Sequence, residues 1–144
     1  MYFDKKIILP KIHRFLKGDG HFLILFMAWL PFESEIAKNS EDLVLKYNPE
    51  WSGRGMTRYK IEEPEWAKPL FSVDHAEAFD LDLEFTRESW NGRMKACRGI
   101  DASLSPKEIA EFEKEHLEYL KTVPKKFTIP HYASILDLKK KEFD

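Results

Sequence analysis

Apolar positions change period several times along the chain. In "KKIILPKIHRFLK", residues 5 to 17, Ile8, Ile12, Phe15 and Leu16 share one side at helical spacing, with Lys and Arg opposite, which predicts an amphipathic helix. Pro10 belongs in its first turn or at a kink, and Gly18 and Gly20 close it with a turn. "HFLILFMAWL", residues 21 to 30, is apolar at every parity. That predicts a strand covered on both faces, the pattern of a parallel sheet, yet no second strand of parallel character occurs in the chain. Ile36, Leu43, Val44 and Tyr47 predict a helix that ends before Asn48-Pro49. An irregular stretch follows to Pro69, with Gly53, Gly55, Trp51 and Trp66, and segments of this length are commonly functional.

"FSVDHAEAFDLDLEF", residues 71 to 85, alternates, with Val73, His75, Phe79, Leu81, Leu83 and Phe85 on one face and Asp74, Asp80, Asp82 and Glu84 on the other. This predicts a long strand with one buried face. Thr86 caps a short helix carrying Trp90, Met94 and Cys97, and "SPKE", residues 105 to 108, is a capping box. It opens a helix whose inner stripe is Ile109, Phe112, His116, Leu120 and Val123, and "FTIPHYASILDLKKK" predicts a final strand.

With 144 residues, the length suits one domain over residues 1–144, with residues 31–70 as an excursion. A formal net charge of −2 from 23 basic and 25 acidic residues gives no footing for nucleic-acid or membrane-surface partners. Cys97 is the single cysteine, so no internal disulfide forms. "MYFDKKIILPKIHR" lacks the apolar core of a signal peptide, and the longest apolar run is about half the ~20 residues of a membrane helix. These features predict a cytoplasmic protein.

The element order, with "FLKGDGHFLILF" at the turn into the apolar strand, resembles the later part of a Rossmann-like S-adenosylmethionine-dependent methyltransferase of the small-molecule type. In that family a Leu-Lys-Pro-Gly-Gly turn precedes the fifth of seven strands, and the sixth and seventh form an antiparallel pair with helix between them. "FTRESWNGRMKACRGIDASLSPKEIAEFEKEHLEYL" followed by "FTIPHYASILDLKKK" is similar to the closing section. Here Gly18 and Asp19 stand where the family has Pro and Gly. The resemblance implies an α/β fold holding the last three strands of such a sheet with flanking helices. The resemblance covers nearly all of this chain but only roughly the last 60% of a family domain of ~200 to 250 residues, so the N-terminal cofactor-binding strands are lacking. It implies S-adenosylmethionine as cofactor and a small-molecule acceptor. With the glycine-rich loop absent, the chain by itself is expected to be inactive. The missing N-terminal half, or a homodimer joined at the exposed sheet edge, is the expected partner. The alternative is a non-enzymatic domain that binds a ligand or a protein and dimerises through that exposed edge.

The resemblance sets Tyr2 and Asp4, just past the family's fourth strand, beside the methionine end of the cofactor; a plain chain terminus is the other reading. Trp29 lies at the carboxyl end of the apolar strand, where open α/β sheets place ligands, and serves either as an acceptor wall or as core. Trp51 and Arg54, with Arg58, Tyr59 and Trp66, combine aromatic faces with positive charge that suits an aromatic or anionic acceptor. They also suit a loop packed by its own rings. Trp90 faces inward on its helix, and Arg93 at i+3 shares its side and reaches a pocket. His131 and Tyr132 open the last strand, where a His is a general base or a hydrogen-bonded structural group. No catalytic residue is assigned. No H-x-x-x-H pair occurs among the scattered histidines, so no metal site is expected.

Overall fold

Short polar signals start each helix of this computed structural model, which describes residues 4–142. Helix α1 (Lys5–Phe15) begins where the Asp4 carboxylate accepts from the Lys6 N–H at 2.8 Å. Helix α2 (Glu35–Tyr47) is capped by Ser34, which accepts from the Ala37 N–H, after a 3-10 turn at Pro31–Glu33. Helices α3 (Arg87–Lys95) and α4 (Pro106–Leu120) open on reciprocal capping boxes, Thr86 with Ser89 and Ser105 with Glu108. Each such cap satisfies N–H groups that the first turn leaves unpaired and is worth about 1 kcal/mol.

Strands β1 (His21–Trp29), β2 (Phe71–Thr86) and β3 (Lys126–Lys140) form one open sheet in the order β1-β3-β2. The Lys140 N–H donates to Gly20 O, the Leu30 N–H to Pro130 O, and the Lys141 N–H to Leu70 O. Rising numbers on one strand meet falling numbers on the next, so β3 runs antiparallel to both neighbours. The architecture is mixed α/β, with four α-helices and an antiparallel three-stranded sheet among the described residues. The parallel, twice-covered setting expected for residues 21 to 30 is therefore corrected. Strand β1 is an edge strand that alternates between exposed and half-buried positions, with Leu23, Leu25 and Met27 exposed at 54%, 69% and 50%. An unbroken apolar run records what a strand can bury, and the described residues cover only one of its faces.

The chain divides into two compact units, one of Met1–Met27, Tyr59–Phe79 and Ala133–Asp144, the other of Ala28–Arg58 and Asp80–Tyr132. In the first, Leu9 of α1 packs with Phe71, Leu136 and Leu138, flanked by Ile8, Ile12, Phe22 and Ile24. Phe15 was expected on this inner side. It is exposed on the last turn, with the Arg14 guanidinium 5.3 Å from its ring, and Leu9 is buried instead. In the second unit Val44, Trp90, Met94, Phe112, Leu120, Phe127 and Ile129 form the core. The expected stripe of α4 is found, with Phe112, His116 and Leu120 buried and Ile109 and Val123 packed beside them. The alternation of β2 holds only from Leu81 to Phe85. From Val73 to Asp80 every residue is exposed, so the inner face expected for Val73, His75 and Phe79 is corrected. No helix of the described residues is long and apolar enough to cross a membrane.

Candidate functional site

Chemistry concentrates in the second unit, where polar side chains from three helices meet inside the core. Ser40 of α2, Asn91 of α3 and His116 of α4 are all buried. Lys95 Nζ donates to Glu113 Oε1 at 2.7 Å and Asn91 Nδ2 to the same oxygen at 3.3 Å, which orients the Asn91 amide with its oxygen toward His116. His116 Nδ1 stands 2.9 Å from that oxygen and must donate to it, so in the neutral ring Nε2 accepts from the Ser40 hydroxyl, 3.0 Å away. Trp90 Nε1 donates to Ser40 Oγ at 2.9 Å, and Ile36 O, 2.7 Å from Ser40 Oγ, competes for the one hydroxyl proton. Burial pushes the His116 pKa from 6.5 to about 4, so the ring is neutral at neutral pH. Serine, imidazole and amide are in the order that activates a nucleophile, yet Ser40 and His116 have no exposed surface. Their role is to tie α2, α3 and α4 together through fully satisfied hydrogen bonds.

A second buried polar group lies beside them. Glu41 accepts from Trp29 Nε1 at 2.6 Å and from the Gly55 N–H at 2.9 Å. Burial raises its pKa, and these two donors oppose the rise. Gly55 holds φ at +70°, a conformation that glycine adopts without strain, and so aims its N–H at the carboxylate.

Of the residues singled out from sequence, Trp29, Trp90, Arg93 and His131 come together. The two indoles meet edge to face at 5.7 Å, and the exposed Arg93 lays its guanidinium 4.7 Å from the Trp29 ring centroid. His131 stacks on Phe85, which meets Trp90 at 4.9 Å. His131 Nδ1 lies 2.8 Å from Ile129 O, and burial lowers its pKa. Trp29, Trp90, His131 and Tyr132 are buried, so this cluster offers solvent little besides Arg93. Burial raises the thiol pKa of Cys97 as well, against nucleophilic use.

Trp51 is half-buried against this core and lines a polar cleft of about 500 Å³ with Asn48, Glu50, Ser52, Gly53, Arg98 and Ser103. Arg54 is exposed nearby in sequence, and its charge favours ionised Glu41. Arg58 is engaged with two carboxylates, bonding Glu33 and, at 2.8 and 2.9 Å, Asp80. Tyr59 and Trp66 belong to the first unit, where Tyr59 meets Phe26 edge-on and Lys5 sits over Trp66. Asp4 is the cap of α1, and Tyr2 lies outside the described residues.

The groups that sequence reasoning missed are Ser40, Glu41 and Asn91. Glu41 sits one turn from Ala37 and Val44 on the apolar side of α2, a carboxylate at a core position. That was the available signal. Elsewhere, Leu23, Leu25 and Met27 form a row of exposed apolar side chains on β1. Comparison with known proteins found no matching family model and no matching curated relative, so the geometry alone carries the functional reading.

Proposed function

We propose that this chain is a non-enzymatic assembly domain that pairs with a second copy of itself along the free edge of β1. The observation that carries the reading is the exposure of Leu23, Leu25 and Met27 on an edge strand with no charged residue between His21 and Trp29. Edge strands that must stay single carry charges, prolines or bulges. Strand β2, at the other edge, follows that rule with Asp74, Glu77, Asp80, Asp82 and Glu84, and β1 does not. A second β1 brings no charge to oppose the first, and the pairing is isologous.

Sedimentation velocity of the chain and of Leu25→Lys tests this. A dimer that becomes a folded monomer on substitution, with unchanged circular dichroism, is the expected result. A folded monomer of the parent chain at micromolar concentration overturns it.

A second reading keeps the methyltransferase resemblance, with S-adenosylmethionine as cofactor and a small-molecule acceptor. It is supported by the antiparallel pair β2 and β3 with α3 and α4 between them in sequence. The gathering of Trp29 with Trp90 and Arg93 also favours it. Calorimetric titration with S-adenosylhomocysteine separates the two. Saturable one-to-one binding favours the enzyme reading, and no binding by a folded sample removes it.

A further inference from the structure

On the uncovered face of the first unit, three side chains from three adjacent strands converge. Lys141 opposite Leu70 fixes the β2 and β3 register, and counting back four residues sets Asp137 against Asp74. On the other side Lys140 opposite Gly20 sets Asp137 against Leu23, so His21, two residues earlier, is its diagonal neighbour. The imidazole of His21 and the carboxylates of Asp74 and Asp137 each offer a donor atom within 4.8 Å of the others. His21 Nδ1 is 2.8 Å from Asp137 Oδ1.

We propose that His21, Asp74 and Asp137 bind a divalent transition-metal ion of the zinc class. This proposal does not depend on the assembly reading. Two carboxylates directly opposed in neighbouring strands repel, and among the described residues Asp74 has no hydrogen-bond or ion-pair partner to relieve this. Two carboxylates and an imidazole make a mixed oxygen and nitrogen donor set that a divalent cation can draw together. Lys139 shares the face, but it is exposed and its long side chain reaches solvent.

An imidazole in the set selects zinc, cobalt, nickel or iron over magnesium and calcium, which take oxygen ligands. Ligands about 2.1 Å from such an ion lie roughly 3.0 to 3.5 Å from one another. Closing the present spacing to that range needs side-chain rotations of about 1 Å, on residues that a hydrogen-bonded sheet holds in register. Three protein ligands on an open face leave the remaining positions to water, an arrangement different from a closed structural site.

The test is calorimetry with zinc chloride on the full chain, together with the visible spectrum of added cobalt(II). One ion per chain is expected. His21→Gln, Asp74→Asn and Asp137→Asn should each weaken binding roughly tenfold or more, since loss of an outer partner alone costs that much. His75→Gln, at a histidine outside the cluster, should leave binding unchanged. Asp74 is exposed and unpartnered, so Asp74→Asn folds, which circular dichroism verifies. Absence of binding by the parent chain overturns the proposal, as does binding that Asp74→Asn leaves intact.

Discussion

Protonating His116 is the sharpest probe of the second unit, because the ring is fully buried and both of its nitrogens have a hydrogen-bond partner. The unfolded chain takes up this proton near pH 6.5, the folded one only near pH 4. Between those values the unfolded state binds more protons, so stability is complete above pH 6.5 and falls as the pH drops toward 4. Each pH unit of separation is worth about 1.4 kcal/mol, so the loss across the window is on the order of 3 kcal/mol. That is a large share of the 5 to 15 kcal/mol or so that holds a domain together.

Other groups titrate nearby with different signs. Burial lowers the pKa of His131, which adds to the effect, and raises that of Glu41, which opposes it. The assay is therefore a difference: urea unfolding of the parent chain and His116→Gln, each at pH 7 and pH 4. Glutamine keeps a donor for Asn91 Oδ1 and an acceptor for the Ser40 hydroxyl but does not titrate. The parent should lose about 3 kcal/mol more than the variant between the two pH values. Equal losses would refute the inference that the ring is held neutral by burial.

Trp29→Phe removes the indole donor to buried Glu41 Oε1, with a predicted loss of about 1 to 3 kcal/mol in chemical denaturation. Ser105→Ala removes the α4 cap and its reciprocal bond to Glu108, with a cost of about 1 kcal/mol read as a lowered Tm. A methyl group at Gly99 would lie 2.7 Å from Val44 Cγ1 and 2.8 Å from Trp51 Cγ, so Gly99→Ala should lower Tm and shift Trp51 fluorescence.

How much of this was legible in sequence depended on whether a local rule decided the outcome. The caps at Thr86 and Ser105 and the stripe of α4 were readable because a helix end and a helix face are local matters. The face of β1 was not, since its apolarity is the same whether one side or two are covered; its exposed edge was expected through the resemblance alone, and the strand order makes β1 an edge strand. In β3 the buried positions run through Phe127, Ile129 and His131 and then shift parity to Tyr132, Ser134, Leu136 and Leu138. A single alternating pattern cannot describe a strand that contributes to two cores. Trp29, Trp90, Arg93 and His131 were picked out by residue type and do meet, but their burial depends on packing by Phe85 and α2, which their own positions do not encode. Ser40 and Asn91 gave no signal because a lone serine or asparagine on a helix usually faces water.

The strand order also governs how the chain can be made. Strands β1 and β2 flank β3 and are not neighbours in the sheet, so each must wait for residues 126 to 140. Gly20 finds its partner only when Lys140 has been synthesised, on the order of ten seconds after Trp29 at usual rates of translation. Through that interval the most apolar stretch of the chain has no strand to pair with. The helices can form early from local bonds, whereas the sheet forms late and all at once, which predicts slow, non-local folding and a nascent chain that depends on chaperones while β3 is still to come.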